Sequence, residues 1–444
     1  MRDAGRMSAA IEILNDFESR RIPIKTAIAD WGRANRYAGA KDRAWISGLC
    51  LDALRKRQSL LTIMDPAAES EGPNGRALVL STLRFLWEMP IEELAENASE
   101  EPHGPGPLSD EEQKCLSQSN MDQPSEMDAP DFLQPMAKRV FGEDYLEELS
   151  ALSKRADIDL RINTLKTTPE KALSALRPVS GKAAPFVMNA ARIHAPPPNE
   201  RAPAITVIPA FNKGWVEVQD LGSQLAACAA GNIAGKQVLD FCAGGGGKSL
   251  ALAALMENRG QLHAYDIEAR RLKPIYARAK RAGLRNLQIH TPAYKEKTIP
   301  ESLSELEDKM DVVFVDAPCT GTGTWRRHPD TKWRITPNQL ERRLYEQDLC
   351  LNSAHPFVKK GGHLVYVTCS FLAEENEDRL EKFLNANASF KQINVLNNIK
   401  SSAALTEDAM EALTAWETTD GALRLTPRRT NTDAFFISVL ERID

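Results

Sequence analysis

Two cysteines and a run of four glycines concentrate the chemical potential of this sequence. Cys319 follows Asp316-Ala317-Pro318, and Cys369 stands between Thr368 and Ser370. Each lies at or just beyond a short apolar run, Asp311–Ala317 and His363–Cys369. A lone cysteine at a strand end is usually an inert core residue. Two at the carboxyl ends of consecutive strands point instead to a nucleophile with a partner thiol, because neighbouring strands lie about 4.8 Å apart and can present both sulfurs to one substrate. The glycines, Gly244 to Gly247, sit within Cys242-Ala243-Gly244-Gly245-Gly246-Gly247-Lys248 after a third run, Gln237–Phe241. Glycines there let the backbone approach a ligand closely, with the next helix N-terminus facing it. Gly247-Lys248-Ser249 resembles the end of a phosphate-binding loop, but Cys242 occupies the position where that motif needs a glycine.

Asp266 closes the next run, Gln261–Asp266, about 20 residues beyond the glycine loop, where an acid binds ribose hydroxyls. It can equally cap the helix that follows. Loop and acid together suit either a dinucleotide or S-adenosylmethionine and do not choose between them.

The elements that must position these groups are legible after about residue 215. Apolar runs alternate with amphipathic helices predicted at Lys248–Glu257, Glu268–Ala282, Pro337–Val358 and Ala373–Leu384. Pro274 either kinks the second helix or marks a later start. Val312–Val315 is apolar on both parities, as expected for a strand covered on both faces. Alternation of this kind predicts a doubly wound parallel α/β sheet, whose active sites lie at the carboxyl edge. Upstream, residues 1–63 read as helices, and 131–178 as helix, strand and helix.

Composition bounds the function. The 444 residues are 42% hydrophobic and 26% charged, ordinary for a globular chain. No window suits a membrane span, and no secretory signal is visible, so a cytoplasmic protein is expected. Seven scattered cysteines without CxxC pairs argue against zinc and against a disulfide framework; no metal site is expected. The net charge of −5 would disfavour a nucleic-acid partner, but Glu88 to Asp131 holds 13 acidic residues against one basic, leaving +7 on the remainder. That distribution permits RNA binding without demanding it. Residues 98–130, rich in Pro, Ser and Glu, read as an acidic linker.

Gln219-Asp220-Leu221-Gly222-Ser223-Gln224, the glycine loop, Asp316-Ala317-Pro318-Cys319, Arg326-Arg327-His328-Pro329-Asp330 and Thr368-Cys369-Ser370, in this order, resemble the RNA cytosine-5 methyltransferases of the RsmB/Sun type. Arg36-Tyr37-Ala38-Gly39-Ala40-Lys41-Asp42-Arg43 more weakly resembles their N-terminal NusB-like helical domain. The resemblance implies a Rossmann-like methyltransferase domain at 214–444, a small α/β RNA-side domain at 131–213, and a NusB-like helical domain at 1–97 before the linker. It implies that Cys369 adds to cytosine carbon 6, Cys319 helps release the product, and Asp316, protonated, bonds the base edge at N3. It implies S-adenosylmethionine as cofactor, held by Cys242, Ala243, Gly244, Gly245, Gly246, Gly247, Lys248, Asp266 and Asp316.

The substrate would be ribosomal RNA, with transfer RNA as the alternative and a non-catalytic RNA-binding assembly protein as a third reading. Arg161, Asn163, Arg326, Arg327 and Lys332 are the expected RNA contacts, although an ordinary strand end or a solvated basic loop would place the same residues. Trp325 and Trp333 could stack on bases or fill a core. A monomer is expected. Three departures from the family pattern stand out, one of them an N-terminal helical domain that reads as short or altered around the acidic segment. Gly244 and Gly245 replace Ala and Pro, and His290-Thr291-Pro292-Ala293 offers no third carboxylate after its strand, which predicts weakened cofactor affinity.

Overall fold

The computed structural model describes residues 1–64, 74–117, 128–198, 200, 202–292 and 300–444. It divides into two compact units. The first comprises residues 1–155, 196–202 and 325–335. Its helices are α1 (Asp3–Arg20), α2 (Ile24–Ala34), α3 (Ala40–Arg55), α4 (Arg57–Met64), α5 (Gly75–Ser81), α6 (Ile91–Ser99), α7 (Asp110–Leu116), α8 (Gln134–Phe141) and α9 (Tyr145–Leu152). The periodic residues Leu14, Phe17, Ile46, Leu49 and Leu54 meet in one buried core, as a 3.6-residue period requires. Helix α7 corrects the linker reading of part of the acidic stretch. Ser109 caps it through the Glu112 amide, Glu112 pairs with Arg76 at 2.7 Å, and Cys115 and Leu116 are buried in the same core. Two apolar anchors in an otherwise polar segment were too few to register as a pattern. Residues 118–127 of that stretch lie outside the described residues.

The segment 325–335 belongs to this helical unit, and it overturns one expected RNA contact. Lys332 has no exposure. Its Nζ donates to the Arg55 carbonyl at 2.9 Å and the Ser153 hydroxyl at 3.2 Å. Trp333 donates to the Leu54 carbonyl at 2.6 Å, and Trp325 is buried, so both tryptophans take the core-filling alternative. Burial pushes the Lys332 amine down to about 7. An unfolded lysine titrates near 10.5. Below pH 7 both states are protonated and the burial penalty is complete; above it the unfolded chain binds the extra proton, so stability rises with pH up to about 10. Thermal melting at pH 7 and pH 9 should reveal this rise. Lys332→Met should remove that portion of the slope, and a variant with the parental pH dependence would refute the account.

The second unit holds residues 156–195, 203–324 and 336–444. It begins with a four-stranded antiparallel sheet of order β2-β3-β1-β4, built from β1 (Ile158–Ile162), α10 (Pro169–Leu176), β2 (Lys182–Ala183), β3 (Ala190–Ile193), α11 (Pro209–Asn212) and β4 (Val216–Val218). Then follow α12 (Leu221–Cys228), β5 (Gln237–Asp240), α13 (Gly247–Leu255), β6 (Gln261–Tyr265), α14 (Ala269–Ala282), β7 (Leu287–His290) and β8 (Met310–Asp316). After α15 (Pro329–Arg334), which lies in the first unit, come α16 (Pro337–Ala354), β9 (Val358–Thr368), α17 (Glu377–Ala386), β10 (Phe390–Ile393), α18 (Val395–Ser401), α19 (Ala409–Thr414), β11 (Leu423–Leu425), α20 (Pro427–Thr430) and β12 (Phe435–Arg442). Helix α14 runs through Pro274 rather than starting after it.

The large sheet has the order β10-β12-β9-β8-β5-β6-β7, with β11 paired to β12. Strands β5 to β9 are mutually parallel, and β12 and β10 close the edge antiparallel. Burial on both faces is direct: Val312 and Phe314 enter one core, Val313 and Val315 the other. This is the doubly wound α/β architecture expected. The chain runs outward from β5 through β6 to β7, then returns to lay β8 on the opposite side. The switch point between β5 and β8 is where such sheets bind ligands.

Candidate active site

Every predicted catalytic and cofactor residue lies in the second unit, at the carboxyl ends of the parallel strands. Asp316 is the last residue of β8, Cys369 follows β9, and the two strands pair with Asp316 opposite Val367. The Cys319 and Cys369 sulfurs are 3.3 Å apart. The Cys369 carbonyl accepts from Gly323 at 2.9 Å, and the Thr322 and Ser370 hydroxyls bond each other at 2.9 Å. Gly323 must be glycine, since an added Cβ would sit 2.2 Å from the Ala434 carbonyl.

The Cys319 thiol is pushed well above its ordinary range, first by its hydrogen bond with Cys369, then by burial and by neighbouring negative charge including Glu375. It is the thiol that stays protonated, and a thiol can donate to the sulfur beside it.

Glu375, which sequence reasoning missed, builds the loop that carries Cys319. It is fully buried and accepts from the Thr320 amide at 2.8 Å, the Thr320 hydroxyl, and Gln347 Nε2 at 2.9 Å. Gln347 also donates to the Pro318 carbonyl at 2.9 Å. Nothing in Ala373-Glu374-Glu375-Asn376 distinguishes this carboxylate from a solvated helix face. Glu375→Ala leaves the Thr320 amide and Gln347 buried without their acceptor, a loss of about 1–3 kcal/mol. A melting temperature equal to the parent's would show that the loop does not depend on it.

Lys248 lies buried, with Nζ 3.0 Å from Asp316 Oδ2. An ion pair suits a carboxylate, so the neutral acid expected of Asp316 would have to surrender this bond on meeting a base. Asp266 is held by backbone amides on both sides and by Arg271 at 3.2 Å. Its Oδ1 accepts from the Glu268 amide at 2.9 Å at the entry to α14, and its Oδ2 accepts from the Gly244 amide at 3.0 Å. It also lines a cleft with Cys242, Tyr265, Ile267, Pro318 and Cys350.

The glycine loop takes positive φ at Gly244 and Gly246. A Cβ on Gly246 would approach Ile275 to 2.4 Å, so the loop touches α14 only as glycine. Ser249 anchors the start of α13 on buried Asp240 at 2.6 Å, a carboxyl that burial pushes up to about 7. Loop amides, a buried acid and an adjoining cleft fit the ribose and amino-acid ends of S-adenosylmethionine. A cavity of about 520 Å³ elsewhere in this unit, lined by Gln224, Cys228 and Ala254 among others, contains neither Cys319 nor Cys369.

Three more expected RNA contacts are corrected here. Arg161, 6% exposed, donates through Nε to Gln219 Oε1 at 2.8 Å, and burial lowers it to about 10. Asn163, 1% exposed, bonds the Gly214 and Ala282 carbonyls at 2.9 and 2.8 Å. Arg161 ties β1 to the segment after β4, and Asn163 ties the small sheet to the end of α14. Asp159 assists by accepting from Arg192 at 2.7 Å and from the Leu221 amide at 3.0 Å, so Gln219–Gln224 is a structural junction. In the first unit Arg326 is 2% exposed, and its carbonyl accepts from Arg55 at 3.0 Å. Of the five residues only Arg327, half-buried, keeps appreciable exposure.

All seven cysteines are free thiols. Among the described residues no group of three potential ligands could hold a metal, and no helix is long and apolar enough to cross a membrane.

A doubly wound sheet with this order, a glycine loop after its first parallel strand and an acid after its second define a Rossmann-like methyltransferase domain. Residues 232–441 match the family described as 16S rRNA methyltransferase RsmB/F. The chain is 31% identical over 265 residues to the ribosomal RNA small subunit methyltransferase B of Photorhabdus laumondii, covering 59% of each chain. It is 29% identical over 316 residues to the probable ribosomal RNA small subunit methyltransferase B of Synechocystis, covering 70% of this chain and 66% of that one. The matched part is thus about three-fifths to two-thirds of the length of these curated relatives. The crystal structure of PH0851 shares the fold over 100% of this chain and 99% of its own, with a TM-score of 0.73 at 24% identity.

Proposed function

We propose that the protein is an S-adenosylmethionine-dependent RNA cytosine-5 methyltransferase acting on ribosomal RNA. The observation that carries this reading is the pair of sulfurs 3.3 Å apart at the ends of adjacent strands. Carbon 5 of cytosine is a poor nucleophile until a sulfur adds at carbon 6, so the reaction is divided into two easier steps. The Cys369 thiolate forms the bond to carbon 6, and the double-bond electron pair moves to carbon 5. S-adenosylmethionine, when bound, supplies an electrophilic methyl group on a sulfonium sulfur.

Release requires the carbon 5 proton to leave and the sulfur–carbon 6 bond to break, with its electrons returning to Cys369. Cys319, after passing its own thiol proton to water, takes that proton as the thiolate. Its upward push comes first from its bond with Cys369. Once the Cys369 sulfur is bonded to carbon, no thiolate adjoins Cys319, and deprotonation becomes easier at the moment it is needed. Asp316 bonds the base edge, after exchanging its Lys248 partner. Asp266 holds the ribose, and the backbone of Cys242–Lys248 wraps the amino-acid end.

The test is transfer of a labelled methyl group to protein-free small-subunit ribosomal RNA, followed by bisulfite mapping. One modified cytosine is expected. Methylation of transfer RNA alone would overturn the ribosomal assignment while keeping the chemistry. RNA binding without any transfer would favour an assembly protein.

A further inference from the structure

With Arg161, Asn163 and Lys332 buried, the phosphate backbone of an RNA needs another track. We infer that the outer face of α14 and the adjoining edge of the small sheet form it, an inference that rests on the RNA reading above. Helix α14 carries six Lys and Arg; Arg270, Arg271, Arg278 and Arg281 pair with Glu268, Asp266 and Glu217, which leaves Lys273 and Lys280 without a carboxylate among the described residues. Lys273, Tyr276 and Lys280 are exposed and share one helix face, spaced i, i+3 and i+7, with Tyr276 at 58% exposure.

The face continues into the small sheet. Gly214, at positive φ, brings its backbone so close to the end of α14 that a Cβ would lie 2.1 Å from the Arg281 carbonyl. The Arg281 guanidinium lies 4.0 Å from the Phe211 ring centroid, and Lys166 donates to the Arg281 carbonyl at 3.2 Å. Beside them Lys171 and Lys213 approach the Trp215 ring at 4.8 and 4.9 Å.

Lys359, Lys382 and Lys391 of the same unit each pair with a carboxylate: Asp311, Asp348 and Glu441. Lys171, Lys213, Lys273 and Lys280 lack a paired carboxylate among the described residues, as do Lys182, Lys360 and Lys400 of the same unit. Two ammonium groups held against one indole, with two more along a helix of the same unit, complement a polyphosphate chain. Tyr276 offers an unpaired base a ring to stack on, the mode by which single-stranded RNA is gripped.

Each phosphate contact contributes about 0.7–0.9 to the slope of log affinity against log salt. The experiment measures binding of protein-free small-subunit ribosomal RNA between about 50 and about 200 mM salt. In a variant with Lys171, Lys213, Lys273 and Lys280 all changed to Gln, the slope should fall by about 3, with affinity at low salt lowered at least about tenfold. Melting temperature and S-adenosylmethionine affinity should be those of the parent. The control changes Lys359, Lys382 and Lys391 to Gln and should keep the parental slope. An unchanged slope in the fourfold variant, or an equal fall in the control, overturns the track. Failure of the parent to bind RNA at all would instead overturn the RNA reading.

Discussion

Cys369→Ala abolishes methyl transfer while S-adenosylmethionine still binds, because the thiol forms no part of the glycine loop. Cys319→Ala behaves differently. Attack at carbon 6 and methylation proceed, but the carbon 5 proton has lost its acceptor, so the enzyme stalls as a covalent protein–RNA species. On a denaturing gel with labelled RNA, that species should accumulate in Cys319→Ala and be absent from the double variant. General base removal typically slows a step by about 10²–10⁴-fold, enough to make elimination limiting. The 3.3 Å approach of the sulfurs lets both reach one base, and the gel decides which of them attacks. If the trapped species appears instead in Cys369→Ala and disappears in Cys319→Ala, the roles are reversed.

Asp266→Ala should remove cofactor binding almost as completely. The carboxylate is buried, already oriented by the Gly244 and Glu268 amides, and lines the cleft beside the loop. Hydrogen bonds to a charged group contribute about 1.5–3 kcal/mol each. Losing two to the ribose lowers affinity by about 10²–10⁴-fold. Calorimetry with S-adenosylmethionine measures this. If the residue only capped α14, stability would fall by about 1 kcal/mol and affinity would hold, an outcome that would sink the cofactor role.

Much of the site's location was legible before the fold was known. Strand β7 was predicted at its observed bounds, and β5, β6 and β8 to within a residue at either end. Strand β9 begins earlier than predicted, at Val358, because Lys359 to Gly362 masks its first half with polar and turn residues. Helix α17 starts at Glu377, four residues later than expected, because Ala373–Glu375 forms a separate turn that places the Glu375 carboxylate under the Cys319 loop. Residue type misled most where long polar side chains were concerned. Arg161, Asn163 and Lys332 have the chemistry of surface contacts, yet each finds its partners inside.

The sequence by itself determined the doubly wound sheet, the edge that carries the chemistry and the identity of the groups gathered there. Those features follow from short-range rules: apolar residues on both parities of a strand, glycines before a helix, cysteines at strand ends. The tertiary structure alone decided the 3.3 Å between the sulfurs, the pairing of Lys248 with Asp316, the burial of Glu375 and the inward turn of the expected RNA contacts. The reason is that burial of a polar side chain depends on partners far away in the chain, such as Arg55 and Ser153 for Lys332 or Ala282 for Asn163. Local pattern carries no trace of them.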